Sequence, residues 1–252
     1  MEILALFFLG LVQGLTEFLP VSSSGHLVLF SQIFGIEEEL FVSIILHCAT
    51  LLSILIVFWK DVWQMIRHPF SKQTMLIVVA TIPTCIICLV LMPIIKLSFS
   101  GIILPVCFLV SAILLLLSER STKNKEATEI SYKTAFWIGV AQGFAVFPGI
   151  SRSGTTISAG LFAGNKKEEV AKFSFLMSIP IIILSLIMEI VEIAIGGVSI
   201  DVSAVGISLA SVTAFLVGIV AIKTMLKITK SAKLRYFSYY LILISIISLF
   251  VL

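Results

Sequence analysis

Six stretches of the chain are long and apolar enough to cross a bilayer as helices: 40–59, 74–95, 102–118, 173–193, 203–222 and 236–252. A hydrocarbon core about 30 Å thick requires about 20 apolar residues in a helix. The chain has 59% apolar and only 12% charged residues, whereas soluble domains average about 25% charged. These features exclude an ordinary soluble domain and predict an all-α integral membrane protein.

Two further regions, 1–34 and 132–164, are apolar but interrupted. Each consists of two short apolar segments around a polar centre with glycine and proline, at 17–26 and 147–156. Such a pattern predicts a re-entrant helical hairpin, which enters and leaves the membrane on the same side. The N-terminal segment has no basic leader, so it is expected to belong to the mature protein.

The two interrupted regions are related in sequence. Segments 12–15 and 141–144 align without a gap, and the same offset of 129 residues places Phe18 on Phe147 and Gly25 on Gly154. Each region is followed by three predicted spans, so the chain contains two copies of one unit, 1–118 and 132–252. An odd number of full crossings per unit predicts an inverted repeat, with six transmembrane helices and two re-entrant hairpins.

The positions of the charges support an even number of crossings in each hairpin. In this arrangement four loops on one side hold 15 of the 17 basic residues: Lys60, Arg67, Lys72, Arg120, Lys123, Lys125, Lys133, Lys166, Lys167, Lys172, Lys223, Lys227, Lys230, Lys233 and Arg235. The other side receives Lys96 and mostly acidic residues, namely Glu2, Glu37–Glu39, Glu189, Glu192 and Asp201. By the positive-inside rule the first side is cytoplasmic and both termini are outside. The basic residues form no continuous face, so no nucleic-acid partner is expected.

The polar centres of the two hairpins are expected to meet near the middle of the membrane. Backbone outside a helix at that depth must line a protein cavity or water, and a buried arginine is costly unless it has a function. Ser-Gly sequences at the start of a helix direct free N–H groups at an anion, and an arginine binds phosphate oxygens in a bidentate manner. The expected anion site comprises Ser22, Ser23, Ser24, Gly25, Ser151, Arg152, Ser153, Gly154, Thr155 and Thr156.

Two titratable residues in the first hairpin, Glu17 and His26, add chemistry that anion binding alone does not require. A carboxylate and an imidazole can transfer protons or bind a metal. In alternative interpretations the serines are only helix N-caps, Gln13 only ties its hairpin together, and His47 is a core histidine. His47 is nevertheless a candidate functional residue, because ionisable groups inside membranes are frequently functional. Glu189 is expected to mark an outer helix end.

The segments 13–26, Gln-Gly-Leu-Thr-Glu-Phe-Leu-Pro-Val-Ser-Ser-Ser-Gly-His, and 148–154, Pro-Gly-Ile-Ser-Arg-Ser-Gly, resemble the undecaprenyl-diphosphate phosphatase family, also called the bacitracin-resistance family. The resemblance extends over essentially the whole chain. It implies removal of one phosphate from undecaprenyl diphosphate, which recycles the lipid carrier of cell-wall synthesis and confers bacitracin resistance. It also implies a re-entrant, inverted-repeat fold and a divalent cation.

The resemblance assigns roles to residues of both motifs. The catalytic residues it implies are Glu17, Ser23, His26 and Arg152, with Glu17 also binding the cation, Mg²⁺ or alternatively Ca²⁺. Position 13 is Glu in some members and Gln here, so a cation held between two carboxylates is not expected. Together with the anion-site argument above, the expected substrate-binding residues are Gln13, Ser22, Ser24, Gly25, Ser151, Ser153, Gly154, Thr155 and Thr156.

The sequence leaves the attacking group and one rival function open. Ser23 is the favoured nucleophile, with Glu17 or His26 as its base, and water activated by His26 is the alternative. The rival function is a polyprenyl-phosphate transporter or flippase, since inverted repeats with broken helices are typical of secondary transporters. The expected partners are a polyprenyl diphosphate and membrane lipids in a bacterial cell membrane, with a homodimer left open.

Overall fold

A computed structural model describes residues 2–34, 40–121, 128–196, 203–231 and 234–252. Within these ranges the regular secondary structure consists of helices, together with one isolated bridge between Thr128 and Asn165. The helices are α1 (Glu2–Thr16), α2 (Ser23–Phe34), α3 (Leu40–Val57), α4 (Trp59–Arg67), α5 (Lys72–Ser98), α6 (Leu104–Ser121), α7 (Tyr132–Phe144), α8 (Arg152–Phe162), α9 (Lys167–Gly196), α10 (Ala204–Ser231) and α11 (Arg235–Val251).

The helix lengths confirm an all-helical, multi-pass membrane protein. Helices α5, α6, α9 and α10 are long and apolar enough to cross a membrane, and α3 with α4 forms a bent pair that raises the number of candidate spans to five. The predicted span 236–252 corresponds to α11, an apolar helix of 17 residues. That length is at the lower limit of about 17–25 residues for a spanning helix.

The first predicted span, 40–59, differs from the structure at its end. Helix α3 stops at Val57, and the chain turns by 82° into α4, which the sequence analysis did not predict. Trp59, Trp63 and Ile66 are exposed on α4, and the two indole rings stack with centroids 5.7 Å apart. Helix α4 is therefore amphipathic. Because it contains both apolar and charged residues, the criterion of a continuous apolar stretch does not predict it.

The basic loops contact one another through ion pairs at one end of the helices. Each loop is joined to two others, so the pairs form a closed ring: Lys72–Glu129 at 3.0 Å, Lys172–Asp61 at 2.6 Å, Lys230–Glu168 at 3.2 Å and Arg235–Glu119 at 2.9 Å. This ring places the four loops on the same face. Other loop charges used in the sequence argument lie outside the described residues, namely Glu37–Glu39, Lys123, Lys125, Asp201 and Lys233.

Two close helix contacts are made by glycines at equivalent positions. Helix α1 packs on α10 and helix α7 on α5. A Cβ atom at Gly10 would lie 2.3 Å from the carbonyl oxygen of Ala210, and one at Gly139 would lie 2.0 Å from that of Ala80. Gly10 and Gly139 are separated by the same 129 residues as the two motifs. Small residues allow such close approach between membrane helices.

Replacement of Gly10 by alanine is expected to destabilise the protein. The new methyl group meets the backbone of α10, which cannot move without separating the helices; overpacking of this kind costs about 1–3 kcal/mol. Thermal unfolding in detergent should detect this loss, because each kcal/mol of destabilisation lowers the unfolding midpoint by about 2–4 °C. Gly206→Ala in the same helix pair is the control, because its methyl would meet only the end of the Leu6 side chain. Equal unfolding midpoints for both variants would contradict this interpretation of the α1–α10 contact.

Candidate functional site

Both interrupted regions leave the helical conformation at their centres. Helix α1 ends at Thr16 and α2 begins at Ser23, while α7 ends at Phe144 and α8 begins at Arg152. Each connecting loop contains a proline, which removes a backbone donor and disfavours helix in the residue before it. Each loop also contains a residue in the left-handed region, Ser22 with φ +69° and Gly149 with φ +91°. The local sequence therefore ends both helices at equivalent positions.

The two loops contact each other through their backbones. A Cβ atom at Gly25 would lie 2.7 Å from the backbone nitrogen of Gly149, so only glycine fits there. Ser22 joins the loops, because its hydroxyl accepts hydrogen bonds from the N–H of Gly149 at 3.0 Å and of Gly25 at 3.3 Å. The start of α2 thus lies against the second loop, so the polar centres of the two hairpins meet as the sequence predicted.

Helix α6 holds the second loop through a serine that the sequence analysis missed. The Ser111 hydroxyl donates to the carbonyl oxygen of Gly149 at 3.1 Å and accepts from the N–H of Ser151 at 2.9 Å. The Ser151 hydroxyl in turn accepts from the N–H of Gly154 at 3.1 Å and caps α8. Ser111 has only apolar neighbours in sequence, so no motif indicates its role.

An ion pair between Arg152 and Glu17 joins the two hairpins at the centre of the site. The arginine side chain is 21% exposed and the glutamate side chain 4% exposed. The second carboxylate oxygen of Glu17 accepts hydrogen bonds from the Ser23 hydroxyl at 2.6 Å and from the Gln13 amide nitrogen at 3.1 Å. The structure therefore brings together three of the four predicted catalytic residues.

The fourth predicted catalytic residue, His26, faces a different set of partners. Its Nδ1 lies 2.8 Å from the carbonyl oxygen of Ser22, and its Nε2 lies 2.7 Å from the hydroxyl of Tyr240. The ring stacks on Tyr240 and meets Phe108 edge-on, and the residue is 2% exposed. Since both ring nitrogens have partners other than Glu17, His26 positions the first loop in this structure. Tyr240 belongs to the last helix and is not part of either sequence motif.

The remaining predicted binding residues line the same two helix starts or pack behind them. Ser153 donates to the carbonyl oxygen of Leu19 at 3.2 Å and so ties α8 to the first loop. The Thr156 hydroxyl lies 2.6 Å from that of Ser174 on α9, away from the ion pair. The buried Thr155 hydroxyl has no hydrogen-bond partner in the described part of the chain, and Ser24 is half-buried in the first turn of α2.

The oxygens near Glu17 fit a divalent cation that is completed by substrate. Gln13 is fully buried, and its side-chain oxygen has no hydrogen-bond partner among the described residues. Those residues contain no group of three or more His, Cys, Asp or Glu side chains that could hold a metal by themselves. Mg²⁺ typically binds one or two protein oxygens and completes its shell with phosphate oxygens and water. Glu17 and Gln13 can supply such a partial set.

Fold and site together define a multi-pass helical membrane protein with a buried ion pair near the starts of two helices, α2 and α8. Residues 6–247 match the family described as Bacitracin resistance protein BacA, and the chain belongs to this family. It is 42% identical to an undecaprenyl-diphosphatase of Halothermothrix orenii, over 95% of this chain and 94% of the relative. It is 40% identical to an undecaprenyl-diphosphatase of Thermosipho africanus, over 96% and 98% of the two chains.

Substitutions of Ser22 test the link between the two loops. Ser22→Ala removes the acceptor of two buried N–H groups, which costs about 1–3 kcal/mol for an unsatisfied donor, and leaves alanine in a left-handed conformation. Ser22→Gly removes the same hydroxyl without that strain, so it is expected to be more stable than Ser22→Ala by about 1 kcal/mol. The midpoint of thermal unfolding in detergent measures the stability of both variants. A wild-type midpoint for Ser22→Ala would show that the hydroxyl does not hold the loops together.

Proposed function

We propose that this protein hydrolyses undecaprenyl diphosphate to undecaprenyl phosphate and inorganic phosphate, and so recycles the lipid carrier of cell-wall synthesis and confers bacitracin resistance. One observation supports this function above the others: the Glu17 carboxylate contacts both the Ser23 hydroxyl and the Arg152 guanidinium. In this proposal Glu17 is the base, Ser23 the nucleophile and Arg152 the phosphate-binding group of one cluster. Similar proteins of Halothermothrix orenii and Thermosipho africanus are named undecaprenyl-diphosphatase, and a cluster of this composition suits the hydrolysis of a diphosphate.

Substrate binding follows from the donors that surround the ion pair. Arg152 uses one terminal nitrogen for Glu17, and the remaining N–H groups of its guanidinium are available to phosphate oxygens. The N-termini of α2 and α8 add positive potential. The hydroxyls of Ser22 and Ser151 hold the amides of these helix starts in place. The prenyl chain remains among the exposed apolar side chains of the helices, in contact with lipid.

In the proposed reaction the Ser23 oxygen attacks the terminal phosphorus while its proton passes to Glu17. The bond from that phosphorus to the bridging oxygen breaks, and undecaprenyl phosphate leaves. Glu17 then releases that proton to bulk water, takes a proton from the water that attacks the phosphoserine and returns it to the Ser23 oxygen, and phosphate is released. Arg152 stabilises the charge on the transferring phosphoryl group. The alternative is direct attack by water with Glu17 as its base; His26 serves in both routes to position the loop of Ser22 and Ser23.

A divalent cation, Mg²⁺ or Ca²⁺, is proposed to bind at Glu17 and the Gln13 side-chain oxygen, completed by phosphate oxygens of the substrate. When bound it neutralises charge on the diphosphate. The buried, unpartnered oxygen of Gln13 supports this position.

We further propose six transmembrane helices and two re-entrant hairpins in an inverted repeat, within the bacterial cell membrane. The ring of ion pairs would face the cytoplasm, and the site and both termini would face outward. Helices α1 and α7 have 15 and 13 residues, too few to cross a core about 30 Å thick. The equivalent contacts of Gly10 and Gly139 support the internal symmetry.

A carrier of polyprenyl phosphate is the second candidate function, and the symmetric glycine contacts favour it because transporters use repeats of this kind. A carrier needs the arginine and the helix N-termini to bind an anion. It does not need a serine hydroxyl bonded to a buried carboxylate, and this contact makes the hydrolase the stronger proposal.

Phosphate release from undecaprenyl diphosphate by the purified protein in detergent tests the proposed activity. Arg152→Ala and Glu17→Ala are each expected to lower kcat at least 1000-fold, and EDTA is expected to abolish release until Mg²⁺ or Ca²⁺ is restored. Arg152→Lys should recover little activity, because an ammonium group lacks the bidentate geometry. Folded wild-type protein that releases no phosphate with either metal would contradict the hydrolase, and lipid transfer between liposome leaflets would then test the carrier.

Ser23→Ala distinguishes the covalent route from direct attack by water. With Ser23 as nucleophile, the variant should lose at least 1000-fold in kcat and bind substrate with little change in affinity. Wild-type enzyme quenched with acid during turnover should contain phosphate on the peptide that includes Ser23, detected by mass spectrometry. If Ser23→Ala keeps turnover within about tenfold of wild type and no phosphopeptide forms, water is the nucleophile.

A further inference from the structure

Helix α4 leaves the helical bundle at the face that carries the ring of ion pairs. Helix α3 has 18 residues, which at about 1.5 Å per residue gives a length of about 27 Å, close to the thickness of a hydrocarbon core. The chain then bends by 82° into α4, and Asp61 of α4 pairs with Lys172 of the ring at 2.6 Å. Helix α4 therefore begins where a spanning helix ends and runs across the direction of α3.

Three positions of α4 face the protein. The side chains of Val62 and Met65 are half-buried and pack against the main hydrophobic core, and the side chain of Asp61 is 21% exposed in its ion pair. Phe58, directly before α4, is buried and packs against Phe175 of α9 with ring centroids 6.1 Å apart. These contacts fix the rotation of α4 about its axis and so determine which of its residues face outward.

The outward face of α4 has an apolar strip. Trp59, Trp63 and Ile66 follow one another at spacings of four and three residues, which places them on one side of a helix. Their exposed fractions are 58%, 42% and 63%, and the two indole rings stack on each other. Phe70, in the segment after α4, is 89% exposed. An exposed apolar surface of this kind marks contact with a membrane or with another protein.

A basic strip runs beside the apolar strip. Lys60 and Arg67 are seven residues apart, which is two helical turns, and both are exposed. The guanidinium carbon of Arg67 lies 4.8 Å from the centre of the Trp63 ring, in a cation–π contact. Neither basic residue forms an ion pair within the described part of the chain. Because the one acidic residue of α4, Asp61, is paired on the protein side, the outward face is cationic.

We propose that the outward face of α4 binds anionic phospholipid headgroups in the leaflet next to the ring of ion pairs. The side chains of Trp59, Trp63 and Ile66 lie at the boundary of the acyl chains, where indole rings are favoured. Lys60 and Arg67 contact the phosphate groups of the lipids, as basic residues do on helices that lie in the membrane surface. This inference is independent of the proposed function, since no residue of α4 belongs to the candidate active site.

Charge and geometry favour a lipid over a second copy of the chain as the occupant. The end of a spanning helix already lies where the headgroups begin, and basic side chains at that level each favour anionic lipid by about fivefold. A two-fold contact between two copies of α4 would bring two basic strips together, and like charges oppose such a contact.

Tryptophan fluorescence tests the proposal, because lipids brominated on their acyl chains quench the indoles that they touch. The chain has three tryptophans, so Trp137→Phe leaves only Trp59 and Trp63 as reporters. This variant is reconstituted into vesicles of phosphatidylcholine and phosphatidylglycerol, with one lipid or the other brominated. The quenching should show a selectivity for phosphatidylglycerol of about fivefold or more, and sodium chloride should reduce it by screening.

Two further pairs of substitutions, made in the Trp137→Phe protein, locate the headgroup contact. Lys60→Gln combined with Arg67→Gln should lower the selectivity to less than about twofold, while both lipids still quench the two indoles. The matched control is Lys133→Gln combined with Lys227→Gln. It removes two exposed basic residues from α7 and α10 and should leave the selectivity unchanged.

Three results would overturn the proposal. Equal quenching by the two lipids in the Trp137→Phe protein would show that the face does not recognise headgroup charge. An equal loss of selectivity in the control pair would assign it to the overall charge of the protein. Indoles that neither brominated lipid quenches would be covered by protein, and a dimer in analytical ultracentrifugation would then identify the occupant as a second copy of the chain.

Discussion

The ion pair between Glu17 and Arg152 is the interaction on which the rest of the structure depends. Burial of either charge alone costs several kcal/mol, and removal of one partner from a buried pair is more harmful than replacement of both. The second carboxylate oxygen of Glu17 also accepts hydrogen bonds from Ser23 and Gln13. Because the two charged residues belong to different halves of the chain, neither half can satisfy its own buried charge.

The ion pair requires the backbone to leave the helix at membrane depth, and serines compensate for this. Hydroxyls of Ser22, Ser111 and Ser151 hydrogen-bond the amides that the two broken helices leave without partners. The close approach of the loops also requires glycine at positions 25 and 149. A polar network of this kind is tolerated in an apolar environment only if nearly every member has a partner.

Sequence alone predicted the parts of this molecule that have a regular or repeated signal. Apolar length predicted the long helices, and the duplicated motifs predicted that Glu17 and Arg152 meet. The bend into α4 was missed because α4 contains both apolar and charged residues and so has no continuous apolar signal. Ser111 and Tyr240 were missed for another reason: each lies in a largely apolar helix outside both motifs, and its role depends on a contact with a residue distant in sequence. The sequence motif that contains His26 likewise did not predict its hydrogen-bond partners.

The charge of the proposed site is the argument for the proposed divalent cation. Arg152 and Glu17 neutralise each other, so the protein offers the incoming diphosphate little net positive charge in a region of low dielectric constant. Helix N-termini contribute about half a charge each, which is insufficient for a diphosphate. Glutamine at position 13 avoids a further negative charge and still offers an oxygen ligand. The proposed divalent cation, bound together with the substrate, would therefore balance the charge that the two hairpins leave uncompensated.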